Sequence, residues 1–273
     1  MIGNQSFLGK MLSHTLTDMK KEKTRRLIMD ENLKTIFYFA GTSGAGKSTR
    51  VYALIRFLED RGEKPTGYLY HTKIAVGREY LHSFYVIGKE ITRNGQSAWQ
   101  GLDSFIKEIN EGKGSEQLFK FFYETARIQN LVLDSAAMLR SNRSRPLALE
   151  QYGVDAKTYS RFYWYDTFKE YQDRIAGRSQ GKILTEDSSM WKTNDSMKRQ
   201  GVLQAEEMPS VKHPERYEFF HGQPSEPVWT IGVDILQRVG HPELIEEFKV
   251  YADSFLTQQS ANTVTTKESE DLF

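Results

Sequence analysis

The sequence predicts an α/β protein, a three-layer α/β/α arrangement around a parallel sheet with a helical lid or insertion. Three observations carry this. Thr35 to Ala40 (TIFYFA) is a short apolar, aromatic and β-branched run that ends in Gly41, the pattern of a buried central strand. From Lys47 to about Arg61, the residues Val51, Leu54, Ile55 and Leu58 recur at helical spacing, with Gly62 as a stop. Strand-like runs then return between helical ones at Thr66–His71 (TGYLYH), Leu131–Leu133 and Val228–Val233 (VWTIGV). That alternation favours parallel strands covered on both faces.

The remaining elements follow in order. Residues 5–32 are polar with Phe7, Leu8, Met11, Leu12, Leu16, Met19, Leu27 and Ile28 at loosely helical spacing, giving one or two helices ahead of the core. The basic run from Lys20 to Arg26 reads either as a solvated helix face or as a contact to phosphates. Helices are expected at Ala98–Asn110, at Glu116–Arg127, as one long aromatic helix from Ala156 to about Arg174, and at Glu243–Leu256. The organisation expected is an N-terminal helical segment (1–32), a main domain (33–256) with a helical lid at about 150–200, and a frayed polar tail (257–273).

Composition narrows the function. The 273 residues include 37 Lys and Arg against 36 Asp and Glu, a net charge of +1, which argues against a broadly basic, non-specific nucleic-acid binder but leaves room for a local basic face. There is no cysteine, so disulfides, thiolate zinc sites, iron–sulfur clusters and a cysteine nucleophile are excluded. No run approaches 18 apolar residues and the first ten residues lack an apolar core, so a cytoplasmic protein with no membrane partner is expected.

The chemistry concentrates at residues 41–48, Gly41-Thr42-Ser43-Gly44-Ala45-Gly46-Lys47-Ser48, with Thr49 next in line. This is G-x-x-x-x-G-K-S, the phosphate-binding loop. Glycines let the backbone come close to phosphate oxygens, and the following helix aims unsatisfied N–H groups and its positive end at the anion. Lys47 would reach the β- and γ-phosphates of ATP, and Ser48 would ligate Mg2+. The alternative is a glycine-rich turn with an accidental lysine. No N/T-K-x-D tetrapeptide and no LSGGQ-like signature occur. The apolar run 131–133 ends in Asp134, followed by Ser135 rather than a water-activating glutamate. It therefore reads as an acidic strand of kinase type, with Asp134 at magnesium or at the attacking hydroxyl. A helix-capping aspartate is the plainer alternative, and Glu186-Asp187 is a competing acidic pair.

Two arginine groups suit phosphoryl transfer: Arg140, Arg143 and Arg145, and then Arg174 with Arg178, four apart on one helical face before Gly181. Surface ion pairs or DNA-backbone contacts are the alternatives. The stretch from Tyr85 through Lys89 to Trp99-Gln100-Gly101-Leu102-Asp103 offers the acceptor a cation (Lys89), an aromatic plate (Trp99) and a carboxylate (Asp103). Stacking on such a plate contributes roughly 1–3 kcal/mol, and Asp103 would take the proton of a substrate hydroxyl. The plain reading is a surface turn with a core tryptophan. Tyr80 and Trp191 are further candidates for the plate. His71 would face the acceptor or serve structure, and no metal-ligand spacing is found.

The loop, the Asp134 strand and the lid-like DRIAGRSQGK (173–182) together resemble the P-loop kinases over most of residues 35–235. More narrowly, IGK (87–89), WQGLD (99–103), LDSAAMLRSNRSR (133–145) and YQDRIAGRSQGK (171–182) resemble the phage-encoded kinases that act on 5-hydroxymethyluracil in DNA. The resemblance implies transfer of the ATP γ-phosphate to the 5-hydroxymethyl oxygen. It places Lys47, Ser48 and Asp134 at ATP and magnesium and Asp103 near the acceptor. It makes DNA carrying 5-hydroxymethyluracil the partner and a host cytoplasm the location. The chain departs from related kinases at the end of the second strand, where His71-Thr72-Lys73 stands in place of an acidic base. A kinase of free nucleosides or nucleotides, and a P-loop ATPase or switch that is no kinase, stay open as alternatives.

Overall fold

A computed structural model of the chain describes residues 33–42, 44–93, 95–105, 114–135, 145–175 and 185–255. In chain order these form β1 (Thr35–Gly41), α1 (Lys47–Asp60), β2 (Gly67–His71), β3 (Ile74–Tyr80), β4 (Phe84–Ile87), β5 (Lys89–Arg93) and β6 (Gln96–Gln100). A 3-10 turn follows at Leu102–Phe105, then α2 (Gly114–Thr125), β7 (Asn130–Ser135), α3 (Pro146–Gln151), β8 (Lys157–Tyr163) and α4 (Phe168–Ile175). The remainder is α5 (Ser189–Glu207), β9 (Tyr217–Gly222), α6 (Thr230–Val239) and α7 (245–255).

Seven strands make one sheet in the order β2-β3-β4-β7-β1-β8-β9, and β5 and β6 form a separate hairpin. From β4 to β9 every pairing is parallel, while β2 and β3 add an antiparallel edge. The central strand β1 is buried on both faces. Phe37 and Phe39 pack into one layer with α1, α6 and α7, and Ile36, Tyr38 and Ala40 pack into the other with α2 and Met197 of α5. This is the three-layer α/β architecture expected of the sequence. Among the described residues no helix is long and apolar enough to cross a membrane.

The structure corrects several elements. The aromatic stretch read as one helix from Ala156 is the central strand β8 followed by the short α4. Lys157–Tyr163 is buried along nearly its whole length, so aromatics fill both faces and no two-residue period shows. VWTIGV is the entry to α6, and the outermost parallel strand is instead Tyr217–Gly222. Ala98–Asn110 begins as the end of β6 and a 3-10 turn. Thr66–His71 coincides with an edge strand, and the parallel strand next to β7 is Phe84–Ile87. The segment 1–32 with its basic run, and the tail 257–273, lie outside the described residues.

Candidate active site at the carboxyl edge of the sheet

Parallel strands end on a common edge, where loops converge and ligands bind in such sheets. Here β1 ends between β7 and β8, so the glycine loop that follows it is flanked on both sides. Gly46 caps α1 with φ 81°, in the left-handed region that favours glycine. The Thr42 amide donates to the Tyr163 carbonyl at 3.0 Å, and the Ala45 amide donates to the Thr42 carbonyl at 3.2 Å. Lys47 is buried, with its ammonium folded back onto the Gly41 carbonyl at 3.1 Å. Ser48 and Thr49 occupy the first turn of α1 and are half-buried. Gly44 carries the end of α4 against it, since a Cβ there would stand 2.9 Å from Ile175. Ser43 lies outside the described residues.

Asp134 pairs in register with Phe39 of β1 and is 2% exposed. Neither of its carboxylate oxygens completes a hydrogen bond among the described residues. Burial pushes its pKa above the ordinary carboxylate value; the Lys47 ammonium and the Ser48 hydroxyl pull the other way, and the Asp103 carboxylate adds to the rise. Asp103 reaches this place because Gly101 lies flat on β7: a Cβ there would meet the Asp134 carbonyl oxygen at 2.1 Å. The Ser135 hydroxyl then donates a short hydrogen bond to Asp103 Oδ1. Residues 31 positions apart in sequence, Asp103 and Asp134, thus meet beside Lys47 and Ser48.

Two residues unremarked in the sequence hold the loop. Arg50 is 2% exposed, and its guanidinium donates to the carbonyls of Ala45 (2.7 Å), Pro227 (3.1 Å), Pro224 (3.1 Å) and Glu226 while lying 5.1 Å from the Tyr163 ring centre. It ties the glycine loop after β1 to the loop after β9. Burial pulls its pKa below the ordinary value, against the opposing influence of Tyr163 and Glu226. The available signal was its place on the inward face of α1, four residues before Leu54. Asn194 of α5 is 1% exposed and accepts from Thr42 Oγ1 (2.8 Å) and the Tyr165 amide (2.7 Å) while donating to the Tyr165 carbonyl (2.9 Å). A polar residue in a polar helix gives no such signal.

Other candidates are placed as follows. Arg174 is an exposed residue of α4, next to Ile175 at the loop, and its charge is felt by Arg50. Around it Tyr165, Tyr171 and Ile175 form a small separate cluster with Phe168 and Trp191. Lys89 is exposed at the start of β5, 5.8 Å from the Phe105 ring centre and so on the Asp103 turn. Trp99 is 4% exposed in the core with the Arg78 guanidinium 5.5 Å from its ring centre, so it is not the open plate read from the sequence. Tyr80 is wholly buried, its hydroxyl on Glu59. Arg145 pairs with Glu207 at 2.8 Å. Glu207 is 13 helical residues from Asn194, so this pair stands about 20 Å from the loop. Arg140, Arg143 and Arg178 lie outside the described residues.

A family model described as 5-hmdU DNA kinase 2 matches residues 33–213, about two thirds of the chain. The chain belongs to that family. The 5-hmdU DNA kinase 2 of Salmonella phage ViI is 27% identical over 172 residues, which cover 60% of this chain and 54% of that protein. The chain thus matches about half the length of this relative. The stretch that matches the family of 5-hmdU DNA kinases 2 contains Lys47, Arg50, Asp103, Asp134 and Asn194, and it ends before β9 and the carbonyls of residues 224–227 that Arg50 holds.

Proposed function

We propose that the chain transfers the γ-phosphoryl group of ATP, with Mg2+, to the hydroxymethyl oxygen of 5-hydroxymethyluracil in DNA. The observation that carries this is the buried, unbonded carboxylate of Asp134 beside Lys47 and Ser48, with Asp103 turned toward it. An unsatisfied buried carboxylate costs about 1–3 kcal/mol or more, and a divalent cation would satisfy it. Among the described residues no group of three or more His, Asp or Glu is placed to hold a metal alone. Magnesium suits such a place, because it takes one or two protein oxygens and completes its shell from phosphates and water.

ATP, when bound, supplies the phosphoryl group and most of the negative charge. The chain's part is positioning and neutralisation. The amides at the start of α1 and the Lys47 ammonium would hold the phosphate tail. Ser48 would meet the metal directly, and Asp134 would do so directly or through water. Asp103 would orient the acceptor hydroxyl and receive its proton, with Ser135 fixing the carboxylate. Arg174, and Arg178 beyond it, would place positive charge over the transferring group. A base within a duplex must first be extruded, at a cost of a few kcal/mol, so a single-stranded or mismatched target is the easier acceptor.

Labelled ATP offered with hydroxymethyluracil DNA, thymine DNA and free nucleotides tests this reading. Label in the hydroxymethylated polymer alone supports it. Label in monomers replaces it with a nucleoside or nucleotide kinase, and phosphate release with every acceptor absent replaces it with an ATPase.

A further inference from the structure

The edge hairpin β2–β3 has no part in the site described above. Leu69 packs inward with Val76 and Ile87, so Tyr68 and Tyr70 stand on the opposite face, 53% and 57% exposed. Two strand residues of one face are about 6.6 Å apart. Outer strands are ordinarily blunted by charge rather than furnished with aromatics. The segment 64–78 holds Lys64, Lys73 and Arg78 and no acidic residue, in a chain with 36 of them. Arg78 is engaged by Glu59 and Glu90, whereas neither Lys64 nor Lys73 has an ion-pair partner among the described residues.

The hairpin also points the right way. Because β3 is antiparallel to both neighbours, β2 runs parallel to β4 and ends on the same edge as the phosphate loop. Leu69 is level with Gly77 and Gly77 with Ile87, so His71 stands two residues, about 7 Å, past the end of β4. The tip with Lys73 therefore rises beside Gly88-Lys89, the start of the segment that leads to Asp103.

We propose that the β2–β3 hairpin guides the acceptor strand: unpaired bases flanking the target stack on Tyr68 and Tyr70, and a backbone phosphate meets Lys73. This deepens the DNA-kinase reading and rests on it. Spaced aromatics beside cations are how proteins track single strands without reading their sequence.

The test compares wild type, Tyr68→Ser/Tyr70→Ser and Lys73→Ala on a labelled single-stranded oligonucleotide carrying 5-hydroxymethyluracil, by fluorescence anisotropy and by transfer kinetics. The double variant should bind at least about thirtyfold more weakly, with KM for the oligonucleotide raised in step, kcat within about twofold and an unchanged unfolding midpoint. Lys73→Ala should lower the slope of log affinity against log salt by about one. Full affinity in the double variant, or an unchanged salt slope in Lys73→Ala, overturns the proposal. So does loss of a wild-type dimer in sedimentation with DNA affinity intact, which would give the face to a second copy. If wild type labels the oligonucleotide and the variants match it, only the hairpin assignment falls; if wild type neither binds nor labels it, the kinase reading falls as well.

Discussion

Asp134 and Asp103 are two carboxylates that the fold brings beside one lysine, and their surroundings differ. The fold disfavours ionised Asp134, since burial raises its pKa. The sign of the consequence follows from linkage. Below the ordinary carboxylate value, about 4, the group is protonated in both states and carries no penalty. As pH climbs through the raised folded value, the unfolded chain releases the proton more readily, and stability declines. Urea unfolding at pH 4 and pH 7 should therefore show wild type gaining on Asp134→Asn as the solution is acidified. With the proposed metal bound there, saturating Mg2+ and ATP should reverse the ranking at pH 7, because only wild type has the Asp134 carboxylate. Asp103 is half-exposed and held by Ser135, so Asp103→Asn should spare the fold. Its kcat should drop about 10²–10⁴-fold, as for loss of a general base, with KM for ATP within about twofold. Steady-state kinetics on an acceptor oligonucleotide separates the two constants.

At the level of elements, the glycine loop after β1 is held from two directions. Arg50 secures it to the loop after β9 and Asn194 to α5, so its shape is fixed by residues more than 150 positions away. Arg50→Met would take the guanidinium from four carbonyls, of which that of Pro227 keeps its bonds from Thr230, and should lower unfolding free energy by about 2–4 kcal/mol. In denaturant titration Arg50→Lys should recover part of that loss, and KM for ATP should rise more than kcat falls in both variants. These clamps also show what the sequence could and could not disclose. The loop motif, the strand before it and the helix after it are contiguous, and each follows local rules of spacing and glycine placement. Asp134 stood out as a candidate because the apolar run 131–133 leads straight into it. The clamps, and the turn that lays Gly101 on Asp134, depend on which distant strands become neighbours, and no spacing encodes that. β8 was misread for a related reason. A strand covered on both faces loses its alternation, and Tyr159, Phe162 and Tyr163 also satisfy helical spacing.

For the whole molecule, the parallel order β4-β7-β1-β8-β9 brings the ends of β1 and β7, with Lys47 and Asp134, to one edge. A ligand that binds only the assembled edge stabilises the entire fold by mass action. ATP with Mg2+ at a hundred times its Kd should add about 2.7 kcal/mol, which for a domain of this size is roughly 5–10 °C in Tm. Differential scanning fluorimetry should show that shift in wild type and lose it in Lys47→Ala, whose own midpoint without nucleotide should stay within a few degrees. Turnover of Lys47→Ala should fall about 10²–10³-fold, the usual cost of deleting a group that stabilises transition-state charge.

The β5–β6 hairpin is pinned at both of its feet. At one, Gly88 fits against the Trp99 indole and the Gln100 carbonyl; at the other, Gly101 fits against Asp134. Its far end is different, for a Cβ at Gly95 would meet nothing within 4 Å among the described residues. An insertion at that turn should accordingly leave Asp103 in place. It is the natural splice point for a reporter.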